Sequence, residues 1–150
     1  MKLATALAER AELQARIQQL HSRLLNNAQV QEGEQPAEDP QELLAELEEG
    51  YGRLEELISR INRTNAAVVT PEGSLTDLLA RRDCLTAKLS VLRDFLDAAS
   101  SVVSRRTVGE IKIRSAVDVR QMQKQLDGLS RQLRELDGLI QEKNWTVELL

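Results

Sequence analysis

Arg10 and Arg82 are the residues of this chain whose placement points most directly to chemistry, because each stands where a helical apolar seam would carry leucine. A guanidinium on such a seam must reach water, meet a carboxylate or hold an anion. Antiparallel helices joined by short connections would bring the start of a first helix, the end of a second, the start of a third and the end of a fourth to one pole. The polar residues that would gather there are Glu9 and Arg10, Asn62, Arg63, Thr64 and Asn65, Thr76 and Asp77, Arg81, Arg82 and Asp83, and Asn144 and Trp145. One reading is an ion-pair network that sets helix register, with Glu9, Asp77, Asp83 and Trp145 as its structural members. The other is a small-anion or nucleotide site formed by Arg10, Arg81, Arg82, Arg63, Asn62 and Asn65, beside the N-terminal amides of the third helix.

Other chemistries find little support. A catalytic centre at this pole would have carboxylates on offer but no nucleophile–base pair, so no catalytic residue is assigned and an enzyme is not expected. His21, the single histidine, sits near the end of the first helix, where a histidine commonly complements the helix dipole. No second His or Cys lies at ligand spacing from it, and the Glu-x-x-His signature of di-metal bundles is absent, so neither a metal nor a cofactor is expected. Cys84 falls mid-helix beside Leu85 and reads as an inert small residue. Gly50 and Gly52 lie inside a helical pattern rather than after a strand, so no phosphate loop is present.

The elements that must position these residues are long helices. Apolar residues recur at alternating spacings of three and four, over roughly three heptads each, in four stretches. The first runs over residues 2–26, with Leu3, Ala6, Leu13, Ile17, Leu20 and Leu24 on one stripe. The second, 40–65, opens with Asp39 as N-cap, Pro40 at the first helical position and Glu42 at the third. Its stripe is Leu44, Leu47, Tyr51, Leu54, Ile58 and Ile61. The third, 75–101, carries Leu75, Leu78, Leu85, Leu89, Leu92, Leu96 and Ala99. The fourth, 119–143, is capped by Asp118 with Gln121 three residues on, and carries Val119, Met122, Leu126, Leu129, Leu133, Leu136 and Ile140. Leu7, Leu43, Leu57, Leu79 and Leu139 widen the stripes, which suits a bundle better than a two-stranded coiled coil. Ile111-Lys112-Ile113-Arg114 alternates apolar with basic between Gly109 and Ser115, the pattern of a short strand over about 110–115. Ala67-Val68-Val69-Thr70, Val102-Val103 or the same segment of another copy are its candidate partners. The expected fold is therefore an all-α antiparallel bundle of four long helices in a single domain, residues 1–150, with a short strand or hairpin between the third and fourth.

Composition agrees. Leucine supplies 25 of 150 residues and the aromatics are Tyr51, Phe95 and Trp145 alone, as in helical bundles and coiled coils. Charge is unevenly spread. Ten acidic residues against Arg53 alone occupy 32–56, whereas six basic against two acidic residues occupy 105–124. The basic run could contact nucleic-acid phosphates, yet the chain is acidic overall and that run has no aromatic residue to stack a base, so nucleic acid is an unfavoured partner. No window approaches the ~20 apolar residues that span a bilayer, and no export signal is apparent, so neither a membrane partner nor secretion is expected. A single cysteine then fits a reducing cytoplasm. Helices of this length leave apolar flanks that another copy would cover, and a homo-oligomer is the expected assembly.

Several segments carry a resemblance when taken in order: Asn26-Asn27-Ala28, residues 30–34 and 36–40, Ile61-Asn62-Arg63-Thr64-Asn65, Leu75-Thr76-Asp77, Ala80-Arg81-Arg82-Asp83, Glu110-Ile111-Lys112, Val117-Asp118-Val119, and Gln141-Glu142-Lys143-Asn144-Trp145-Thr146. Together they resemble a small, mainly actinobacterial family of unknown function, sometimes called septicolysin. The resemblance spans essentially the whole chain. It implies a cytoplasmic bacterial helical protein with no activity to carry over, and its segments include much of the polar pole.

Overall fold

The start signal of the second stretch works as its residues dictate. Asp39 Oδ1 accepts a hydrogen bond from the Gln41 amide at 2.9 Å, and Pro40 opens the helix that follows. The structure, a computed structural model, describes residues 1–101 and 113–150. It contains four helices, α1 (Leu3–Asn26), α2 (Pro40–Ala67), α3 (Leu75–Ser100) and α4 (Val119–Thr146). The cap of α4 is likewise as its residues require, with the Gln121 amide donating to Asp118 Oδ1 at 3.1 Å. The protein is predominantly all-α.

Two compact units divide the chain. The first comprises Met1–Ser74 and Glu142–Leu150, the second Leu75–Gln141. In the first, α1 and α2 run antiparallel. Ion pairs Arg16–Glu46 at 3.1 Å and Arg53–Glu9 at 2.6 Å fix the register, so that paired residue numbers sum to about sixty-two. The connecting acidic segment is tied down at its ends. Buried Asn27 donates from Nδ2 to the Arg23 carbonyl and accepts from the Glu38 amide, while the Arg23 guanidinium is bidentate on Glu38. Gly33, at φ +87°, supplies the left-handed turn within it.

The face that α2 buries differs from the expected one. Leu43, Leu54, Leu57, Ile61 and Thr64 are buried, whereas Leu44, Tyr51 and Ile58 are exposed. The buried column therefore steps through 43, 47, 50, 54, 57, 61 and 64. Gly50 occupies a seam position in it, and a Cβ placed there would sit 3.5 Å from Ile17 Cγ1. A glycine and a threonine interrupt the true column, which made the neighbouring one look more continuous.

The hairpin also lies elsewhere than expected, between α2 and α3. Strand β1 (Val69–Thr70) pairs antiparallel with β2 (Gly73–Ser74), Val69 opposite Ser74 and Thr70 opposite Gly73. Gly73 takes φ +125°, and buried Thr70 closes the turn by donating from Oγ1 to the Gly73 carbonyl and accepting from the Glu72 amide. Of the strand expected at 110–115, residues 110–112 lie outside the described residues, and residues 113–115 have no regular structure. The first unit is completed by residues 147–150, which run antiparallel to 1–3. The Leu3 amide donates to Val147 O at 3.0 Å, the Leu149 amide to Met1 O at 2.8 Å, and Lys2 bridges Glu148.

In the second unit α3 and α4 form an antiparallel pair along their leucine seams. Leu89, Leu96 and Leu126 are buried at its centre, with Leu85, Leu92, Val119, Met122, Leu129 and Leu133 packed around them and half-exposed. Arg93 Nη2 donates to Ser130 Oγ at 3.2 Å along one edge of the pair.

Candidate functional site

Glu9 stands one residue from Arg10, but its partner comes from α2. The antiparallel register places Arg53 against it, Nε to Oε1 at 2.6 Å. Arg53 also donates to Glu56 at 2.8 Å, and Arg60 reaches Glu56 at 3.4 Å, giving a chain of alternating charge along the α1–α2 edge. The hydrogen bond from Arg53 holds the Glu9 carboxyl below the usual glutamate range, and Glu56 is lowered by the same guanidinium. Arg53 is raised in turn, first by Glu9 and then by Glu56. Glu38 is lowered by Arg23, and Glu148 by Lys2 and the amino terminus.

Arg10 is half-buried on α1, and its Nε is shielded from solvent with no hydrogen-bond partner. Around the end of α2, Asn62 and Arg63 are exposed and Asn65 is half-buried. Thr64 between them is fully buried. Its Oγ1 donates to the Arg60 carbonyl at 2.8 Å and accepts from the Leu150 amide at 3.0 Å, while Arg60 Nε donates to Leu150 O. Trp145, expected as a structural member of the network, is 66% exposed. The remaining site residues belong to the second unit. There Arg82 is half-buried and bonds its neighbour Asp83 through Nη2 at 3.0 Å and Nε at 3.2 Å. Asp77 and Arg81, both exposed on the first turns of α3, also have partners.

Arg53, Arg60 and Thr64 are thus the organising polar groups of the first unit; the sequence pattern places Thr64 at the polar pole without a role and does not point to Arg53 or Arg60. Thr64 had a legible signal, since it continues the seven-residue column 43, 50, 57. Arg53 and Arg60 continue another, shared with Glu46, along the edge facing α1. His21 and Cys84 are both exposed. Among the described residues no cluster of three His, Cys, Asp or Glu side chains could hold a metal ion. No helix among them is long and apolar enough to cross a membrane.

Two shallow apolar depressions lie among the described residues. One, of about 440 Å3, lies on the outer face of α2 between Tyr51, Leu54, Glu55, Ile58 and Ser59. The other, of about 430 Å3, runs between α3 and α4, with Leu92, Met122, Leu126 and Leu129 at its floor and Lys88, Gln125, Gly128 and Gln132 at its rim.

A family model described as "Family of unknown function (DUF6847)" matches residues 10–149. The chain belongs to that family. A solved structure, of a functionally unknown conserved protein from Corynebacterium diphtheriae, is similar to it at 42% identity and a TM-score of 0.92, covering 100% of this chain and 99% of that one. No curated protein matches the chain. An actinobacterial relative of this likeness agrees with the actinobacterial part of the expected resemblance. The polar groups described above lie almost wholly within the residues that the family model matches.

Proposed function

We propose that this chain is a structural or interaction protein of the bacterial cytoplasm that assembles with copies of itself through its heptad-patterned helices. The observation that carries this reading is the column Leu44, Tyr51 and Ile58 on α2, 46%, 53% and 37% exposed, with Val91 and Phe95 of α3 at 67% and 45%. Apolar residues exposed at helical spacing, rather than scattered singly, mark surfaces that another protein covers. Sedimentation velocity on the full chain tests it. The expected result is a mass above the 16.8 kDa of one copy, falling on dilution. A single species of one chain's mass at tens of micromolar would sink the proposal.

One observation favours a second reading, small-anion binding at Arg10. A guanidinium nitrogen removed from water without a partner is costly and attracts an acceptor. Inorganic phosphate or a small carboxylate should then raise the melting temperature, and Arg10→Ala should abolish the rise. No shift with either ligand removes this reading.

A further inference from the structure

The carboxylates of α2 divide into those with a partner and those without. Glu46 meets Arg16, and Glu56 takes both Arg53 and Arg60, so these two arginines of α2 are spent along the α1–α2 edge. Glu48 and Glu55 are exposed beside the column Leu44, Tyr51 and Ile58, with Glu42 and Glu49 further round the helix. None of the four has an ion-pair partner among the described residues. Of the arginines in α1 and α2, half-buried Arg10 and exposed Arg63 are likewise unpaired, which leaves the outer face of α2 acidic. The start of α4 is the reverse. Ile113 and Arg114 are exposed ahead of it, and Arg120 and Lys124 are exposed one helical turn apart at its beginning. These three cations also have no ion-pair partner among the described residues. The two anions nearby are engaged, Asp118 as the cap of α4 and Asp127 as acceptor from Gln123 at 2.9 Å.

We infer that the acidic, apolar face of α2 is one half of the self-association contact, and that the basic start of α4 in a second copy, Arg114, Arg120 and Lys124 with Ile113 beside them, is the other half. The inference rests on the self-assembly reading above and names the surfaces that meet. Its argument is charge complementarity. Two copies of the α2 face would set glutamate against glutamate, whereas α2 against the start of α4 sets glutamate against arginine and lysine. Glu48 and Glu55 stand about 10 Å apart along their helix, and Arg120 and Lys124 about 6 Å apart along theirs. The long arginine and lysine side chains span that difference. Ile113, 60% exposed, supplies an apolar side chain for the depression between Tyr51, Leu54 and Ile58. Because the two surfaces differ, the contact closes into a two-fold pair when it is made reciprocally and runs head to tail when it is not. Either arrangement sets opposite charges together.

Solvent exposure sets the expected strength. Ion pairs between exposed side chains are individually weak, and salt screens them over a distance of ~10 Å at 0.1 M. An assembly held by a few such pairs and one apolar side chain therefore dissociates on dilution and weakens as salt is added. A contact made by apolar side chains alone would not weaken in salt, because burial of apolar surface does not depend on screening.

The test is sedimentation equilibrium of four full-length proteins in low and in high sodium chloride: wild type, Glu48→Lys with Glu55→Lys, Arg120→Glu with Lys124→Glu, and the chain carrying all four changes. All four positions are exposed, so circular dichroism should show unchanged helicity. Wild type should associate more tightly in low salt. Each double variant should self-associate at least about tenfold more weakly than wild type there, because one sign of charge then meets itself. The chain with all four changes should regain the association, and so should an equimolar mixture of the two double variants, results that loss of local structure cannot produce. A wild type that remains monomeric in low salt overturns the self-assembly reading, and this assignment with it. An oligomer that persists in both double variants overturns the assignment alone, as does a chain with all four changes that associates no better than they do.

Discussion

Truncating two leucines that are adjacent in sequence pattern but differ in burial tests which column of α2 is its seam. Leu57 is fully buried, in the column that also holds Leu43, Gly50 and Thr64. Leu44 belongs to the exposed column and is 46% accessible. Leu57→Ala removes three buried carbons and leaves a hole between α1 and α2, which costs about 3 kcal/mol in cores that relax only partly. Leu44→Ala loses only the half of the side chain that is covered, worth ~1 kcal/mol on the area scale, and gains slightly in helix propensity. For a chain of this size those values correspond to falls in Tm of roughly 6–12 °C and 2–4 °C. Urea unfolding followed by circular dichroism, at a concentration where the mass is that of one copy, reads both. Equal losses for the two variants would refute the assignment of the buried column, and a larger loss at Leu44 would reverse it.

Gly50→Ala should raise stability by about 1 kcal/mol, because it removes helix-interior glycine entropy and its Cβ falls at ordinary contact distance from Ile17. A fall in Tm would mean α1 and α2 lie closer than described. Arg10→Leu should also stabilise, by ~1 kcal/mol, since it replaces a shielded, unbonded Nε on an apolar seam with a side chain that fits there. Destabilisation by that variant would show that the guanidinium acquires a partner in solution. Thr64→Val keeps the shape but strands the Leu150 amide, at an expected cost of roughly 1–3 kcal/mol, with faster hydrogen exchange at residues 147–150. Unchanged exchange would argue against that anchor. In Glu9, Glu38, Glu56 and Glu148 a cationic partner depresses the folded-state pKa. Their contribution is therefore complete above the unfolded glutamate value of about 4.3 and is lost as pH falls through the folded values. Stability should be level from neutral pH to about pH 5 and decline below it, less steeply in Glu9→Gln. An identical acid slope in that variant would show that the Glu9–Arg53 pair adds nothing.

Local chemistry made the helix starts legible and long-range register left their partners hidden. Asp39-Pro40 and Asp118 with Gln121 act within four residues, so their roles follow from sequence spacing alone. The hairpin signal was weaker. Two β-branched residues, Pro71 and a glycine at positive φ make the turn at 69–74, and the longer apolar–basic alternation at 110–115 outweighed them in pattern. On α2, both the buried and the exposed columns repeat every seven residues. The buried one contains Gly50 and Thr64, so hydropathy alone favoured its neighbour with Tyr51 and Ile58. The wide apolar arc was visible, but the part of it that faces α1 was not.

The candidate site shows the same division. That Arg10 sits on a seam follows from counting, whereas the pairing of Glu9 with Arg53 depends on the α1–α2 register. That register is set by the ties at both ends of the acidic segment, Asn27 and Arg23 on one side and Glu38 on the other. Once it is fixed, Arg53 and Arg60 take up the nearby carboxylates and Arg10 is left with a shielded, unbonded nitrogen. The α3–α4 groove depends on register as well. Gln121, Gln125 and Gln132 recur at spacings of four and seven, which places them on one face of α4, but nothing in that spacing says which face of α3 they share. Antiparallel pairing does, by setting Lys88 and Leu92 on the same side as Gln125 and Gln132.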